Sequence, residues 1–232
     1  MITRIPFARL GHFRNEWLDS HFHFDFSGTD APMGGHFGPL RVWNDDEIKA
    51  DTGFDLHGHR NMEIITYVRR GAISHRDDLG NEGRTPAGDV QVMTAGTGIR
   101  HAEWNRESDD TLIYQIWVEP NRLNLAPAWD QAAFPKADRA GQLVPLASGQ
   151  AGSAAPLYIN QDATLYGAMV KQGGTLVHNL AKGRRAYLVV ADGAASVNGT
   201  VLQARDGAAI TELDRIELVA NDNSEILLFD LP

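Results

Sequence analysis

The chain of 232 residues contains no cysteine. That excludes disulfides, thiolate-ligated metals, cysteine nucleophiles and cysteine redox switches, and it leaves histidine and carboxylate as the side chains able to hold a metal. Long apolar runs are missing too: none approaches the roughly 18 to 20 residues of a membrane-spanning helix. The opening stretch, MITRIPFARLGHFRNEWLDS, interrupts its apolar positions with Arg4, Arg9, Arg14 and Glu16, so it has no secretory apolar segment. A soluble, cytoplasmic protein is expected, with no membrane partner. Basic charge is short as well, 21 Lys and Arg against 30 Asp and Glu, net −9, with no basic cluster. Direct nucleic-acid binding is therefore not expected. Helical periodicity is scarce.

What is present are short β-branched or aromatic runs bounded by Gly, Asn, Asp and Pro, among them EIITYVRRG, GDVQVMTA, LIYQIWVEP, TLYGAMV, AYLVVADG and EILLFDL. Their spacing predicts an all-β chain, and Asn198-Gly199 predicts a tight hairpin. ITYVRRGAISH, PAGDVQVM and LIYQIWVEP recur in order as YLVVADGAASV, ARDGAAIT and EILLFDLP. That repeat predicts two similar β-barrels in tandem, residues 1–135 and 136–232. Asn121 to Gly152, rich in Ala, Pro, Gly and Gln, reads as the linker, with a short helix at APAWDQAAF.

Two His-x-His pairs compete as metal ligands. In HFHFDF, period-2 alternation puts His21, His23 and Asp25 on one face and Phe22, Phe24 and Phe26 on the core face. No second His or Glu pair lies nearby to complete a ligand set, so an ordinary half-buried strand is expected there. The second pair, His57 and His59, shares its strand face, and AGTGIRHAEWN later supplies His101 and Glu103 on one face. Two adjacent strands aiming all four inward give three imidazoles and a carboxylate, suited to Fe(II) or Mn(II) more than to structural zinc. Gly96 and Gly98 permit the positive φ that swings the second strand inward. Glu63 remains an alternative acid. His75 and Asp77 read as a solvated hairpin end, and Asn44, Asp45 and Asp46 as turn and helix-cap residues. His12 and His36 have no partner that the sequence identifies. No Ser-His-Asp arrangement, phosphate loop or dinucleotide fingerprint stands out.

Gly53, His57-x-His59-x3-Glu63 and Gly71 resemble the first cupin motif, and Gly98-x2-His101-x3-Asn105 the second. More narrowly, GFDLHGHRNMEIITYVRRG, HRDDLGN, MTAGTGIRHAEWN and LIYQIWVEP resemble the pirin family, densely from His36 to Pro120 and more weakly to the end. That resemblance implies a bicupin, two tandem jelly-roll barrels, with one metal in the first. The metal is normally iron, with Mn, Ni, Co, Cu or Zn as alternatives. The family's ligands map onto His57, His59, His101 and Glu103, whereas the general cupin pattern would nominate Glu63. Gly58 stands where the family usually has proline. Bacterial members are described as quercetin 2,3-dioxygenases, which implies a small aromatic substrate, O2 as co-substrate and Glu103 as catalytic proton acceptor. Animal members are described as iron-containing coregulators, so a redox-responsive surface for a protein partner is the rival expectation. A monomer is expected. In the second barrel the ligand positions fall on Asn179, Ala181 and Arg185, with His178 alone and one place off, so no second-barrel metal is expected.

Overall fold

A computed structural model describes residues 1–26, 28 and 30–232. The chain divides into two compact units. One comprises Gly11–Phe134 with Leu157–Gln161, the other Met1–Leu10, Pro135–Pro156 and Asp162–Pro232. Two short segments thus sit apart from a simple division at residue 135. Met1–Leu10 joins the second unit because Ile2–Ile5 pairs antiparallel with Gly207–Ile210 and Arg4 bonds Asp206 at 2.7 Å. Each unit is a pair of sheets of jelly-roll type, as the expected bicupin requires, and the sheets do not close into continuous barrels.

In the first unit the larger sheet orders the strands Ala128–Ala132, Val90–Thr94, Glu63–Arg70, Thr111–Val118, Leu40–Ile48, Leu18–Phe22 and Gly11–Arg14. The smaller orders Gly53–His59, Ile99–Trp104, Ala72–Asp77 and Glu82–Pro86. Alternating Val and Ile residues from both sheets meet between them, as in the cluster of Leu18, Ile48, Val68, Ile113 and, from the smaller sheet, Ile73. In the second unit the strands Ile2–Ile5, Gly207–Ile210, Arg185–Asp192, Ser224–Leu231, Thr164–Val170 and Val144–Ser148 follow one another in one sheet. The other holds Thr175–Asn179, Arg215–Ala220, Ala194–Val197 and Thr200–Gln203, and one apolar cluster again joins the two. Gly71 and Gly193, equated by the repeat, sit at the same corner in each unit with φ of 74° and 79°. A Cβ there would meet Thr111 Oγ1 at 2.4 Å and Asn223 O at 2.2 Å, so glycine is required twice for one reason. The hairpin at Asn198-Gly199 forms with both residues at positive φ.

Three local expectations are corrected. APAWDQAAF forms no helix: Ala128–Ala132 is an edge strand paired with Val90–Thr94, because tertiary pairing outweighs local propensity. LRVWNDDEI does not turn at Asn44. It is one nine-residue strand, Leu40–Ile48, in which Asp45 and Asp46 are buried, Asp45 held by Arg69 at 2.5 Å and Asp46 by the Ser20 hydroxyl. HFHFDF is strand only to Phe22, so the alternation stops there: His23 is fully buried, whereas Phe26 is 40% exposed and not core. No helix of the described residues is long and apolar enough to cross a membrane.

Candidate metal centre

The strands Gly53–His59 and Ile99–Trp104 pair antiparallel, with His57 opposite His101 and His59 opposite Ile99. Ile99 is anchored in an apolar cluster with Ile64, Met93 and Ala95. His101, two residues on, therefore points to the same interior side. The turn before it needs glycine: Gly96 has φ of 48°, and a Cβ there would lie 2.1 Å from the Leu125 carbonyl oxygen. A register shift between His101 and Glu103 places Phe54 opposite Glu103.

The result is a triangle of imidazoles. Ring centroids lie 4.5 Å apart for His57 and His101, 4.8 Å for His57 and His59, and 5.0 Å for His59 and His101. One ring nitrogen from each lies within 4.8 Å of the others. His101 is 1% exposed, and neither of its ring nitrogens has a hydrogen-bond partner among the described residues. Burial, reinforced by His57 and His75, pushes its pKa down to about 3. Burial, then His101 and His57, takes His59 to about 4. Both rings are therefore neutral at physiological pH, with lone pairs available. His57 Nδ1 donates to the Asp55 carbonyl at 2.7 Å, since a carbonyl can only accept, and that tautomer frees Nε2. A buried imidazole with two orphaned nitrogens is costly unless something accepts its lone pair, and a divalent metal meets that need.

Glu103 is 2% exposed and grouped with His101 and His75, with donor atoms within 4.8 Å of one another. Its Oε1 accepts from Gln91 Nε2 at 2.6 Å and lies 3.2 Å from the Thr66 hydroxyl; its Oε2 accepts from Gln115 Nε2 at 2.7 Å. Glu63 is differently placed. Thr66 faces Glu103, so Glu63, three residues earlier on the same strand, faces the opposite side of the sheet. There its Oε2 accepts from Thr94 Oγ1 and the Asn160 backbone N–H, each at 2.9 Å. Burial raises its pKa and these hydrogen bonds only partly offset that. His21 and His23 join neither histidine group around His101.

Sequence reasoning missed the surroundings. His75 and Asp77 are buried, not a solvated hairpin end, because their strand runs between Ile99–Trp104 and Glu82–Pro86. His75 Nε2 lies 3.1 Å from Asp77 Oδ2, and its ring stacks on Trp129 at 4.8 Å and 5.3 Å from His101. Burial works to raise the Asp77 pKa, but hydrogen bonds from Asn81, His75 and backbone N–H groups outweigh it and hold it low. Trp117 meets His59 edge-on at 4.9 Å. The available signal was a lone glutamine inside each of the apolar runs DVQVM and IYQIWV, a polar side chain that burial obliges to find a partner. In the second unit His178 is not alone: it bonds Asp230 at 2.8 Å.

Comparison with known proteins fits this geometry. The family description Pirin matches residues 7–118, and the description Quercetinase C-terminal cupin domain matches residues 146–231. A pirin-like protein of Caulobacter vibrioides is 51% identical over 99% of both chains. A protein of Escherichia coli K12 named quercetin 2,3-dioxygenase is 41% identical over 96% of this chain and 95% of its own. The crystal structure of the bacterial pirin YhhW from Escherichia coli in complex with nickel(II) superposes with a TM-score of 0.93 at 38% identity, covering 100% of this chain and 99% of that one.

Proposed function

The chain belongs to the pirin family, and from that premise we propose that it is a metal-dependent dioxygenase that opens quercetin, or a related flavonol or enolic aromatic, with O2. The observation that carries the proposal is His101, a buried neutral imidazole with no hydrogen-bond partner among the described residues, gathered with His57 and His59. In this account His57, His59, His101 and Glu103 hold one divalent ion, iron(II) in the cell, while the related YhhW structure contains nickel(II). Such an ion supplies a Lewis acid with coordination positions left open for small oxygen ligands.

The chain's own residues do the rest. Gln91 and Gln115 clamp the two oxygens of Glu103 and fix the carboxylate plane. Oε1 is shared between Gln91 and Thr66, whereas Oε2 has one donor, so Oε2 keeps a lone pair for the ion or for a proton. With substrate bound, that one Oε2 position is where Glu103 would take the proton of the substrate's enolic hydroxyl in place of holding the ion, a transfer that requires hydrogen-bond reach. The rings of Trp117 and His59 give the centre an aromatic flank suited to a flat substrate.

The test is oxygen consumption in an electrode cell by iron-loaded protein supplied with quercetin, with His101→Ala as the blank. Rapid uptake that the variant lacks is expected. Absence of uptake from protein shown to contain its iron would contradict flavonol oxygenation.

A further inference from the structure

The pair that the sequence offered as His21 and His23 is broken by the fold, and another histidine takes the vacant place. Beyond Phe22 the chain leaves the sheet, and the His23 backbone N–H donates to the Trp43 carbonyl at 3.1 Å. His21 stays on the strand Leu18–Phe22, directly opposite His12 of the neighbouring strand Gly11–Arg14. Their rings stack with centroids 4.4 Å apart and planes inclined by 20°. Asp19 lies beside them, on the same strand face as His21. Its Oδ1 lies 2.8 Å from His12 Nε2 and 3.6 Å from His21 Nδ1. All three donor atoms are within 4.8 Å of one another.

We infer that His12, Asp19 and His21 form a second, peripheral site for a late first-row divalent ion such as nickel(II), copper(II) or zinc(II). Two imidazoles held opposite one another across a strand pair are positioned by the backbone, so little ordering remains to oppose binding. Imidazole nitrogen with a single carboxylate is a donor set these ions favour, and it leaves positions for water. One ligand atom of each of the three lies within 4.8 Å of the others, and an ion among them replaces the hydrogen that His12 and Asp19 share. Arg14 Nε lies 3.5 Å from the other oxygen, Oδ2, and so leaves Oδ1 free for this role. The charged group opposite His21 on the next strand, Asp45, is engaged by Arg69. His12 and Asp19 have side chains 47% and 21% exposed, so an ion reaches them from solvent without opening the fold. Exposure also sets the strength: with competing water and a cationic neighbour, this site is weaker than the buried one.

The experiment is calorimetric titration of nickel(II) into metal-free full-length protein, alongside His12→Gln and His21→Gln. Two equivalents are expected for the unaltered chain. In either variant the weaker equivalent loses affinity by tenfold or more while the tighter one persists, and its persistence shows that the first unit has folded. Paramagnetic broadening of the His12 and His21 ring signals should accompany the second equivalent. A single equivalent in the unaltered chain, or a weaker equivalent that survives His12→Gln, would overturn the inference.

Discussion

Asp46 is a buried carboxylate whose ionisation the fold opposes. Burial, reinforced by Asp45 and Glu103 and only partly offset by the Ser20 hydroxyl, raises its pKa to about 7 from an ordinary 3.8. Between those values the folded chain keeps a proton that the unfolded chain has released, so the folded state binds more protons. Stability must then fall as pH rises from near 3.8 to about 7, and level off above that. At about 1.4 kcal/mol per pKa unit, the fall amounts to a few kcal/mol. Asp46→Asn should remove it, leaving metal-free protein more stable than the parent at pH 8 in urea unfolding and little changed at pH 4. An equal pH slope in parent and variant would contradict this. Gln115 acts through Glu103: Gln115→Leu removes the one donor to Oε2 among the described residues and should cost about 1 to 3 kcal/mol while weakening metal affinity. Urea unfolding and a metal competition assay check the two effects. At this scale Glu103, nominated as the fourth ligand, is grouped in the structure with His101 and His75. The gathering of His57, His59 and His101 was legible because period-2 parity and strand pairing bring them to one place. His75, Gln91 and Gln115 were not, because their partners come from strands that are neighbours only after folding. Glu63 was ambiguous for the same reason: its parity could be compared with that of Thr66 only once Thr66 was seen to face Glu103.

At the scale of elements, the turn before Ile99–Trp104 decides where His101 points. Gly96→Ala would place a Cβ 2.1 Å from the Leu125 oxygen in a left-handed backbone, so the expected result is a loss of about 2 kcal/mol or more together with lost metal. Gly58→Ala, between the ligand histidines, is the contrast. Its Cβ would find Arg100 Cγ at a comfortable 3.7 Å with no positive φ, so stability should hold or rise by about 0.4 to 1 kcal/mol. Thermal melts of the two variants separate these cases. Strand runs with alternating Val and Ile were readable at this scale, as were the corner at Gly71 and its echo at Gly193. Ala128–Ala132 was not, since an edge strand of Ala, Trp, Asp and Gln forms only because Val90–Thr94 is there to pair with it. Leu40–Ile48 was truncated in the reading at Asn44. Aspartates ordinarily mark turns, and nothing local announces that Arg69 and Ser20 will satisfy them in the interior.

At the scale of the whole molecule, the proposed ligands all lie in the unit built from Gly11–Phe134, and the repeat in the second unit has Asn179, Ala181 and Arg185 at the matching places. An ion bound only by the folded first unit stabilises it by about 2.7 kcal/mol when free metal is one hundred times Kd. Chelation should therefore lower the melting temperature of the parent, and the shift should vanish in His101→Ala. The central claim, that three imidazoles and Glu103 hold one ion, is tested most directly by counting iron. Parent, His21→Ala and His101→Ala are loaded anaerobically with iron(II), desalted and assayed for metal per chain. The account predicts one iron in the parent and in His21→Ala and none in His101→Ala; iron retained by His101→Ala, or lost from His21→Ala, would contradict it.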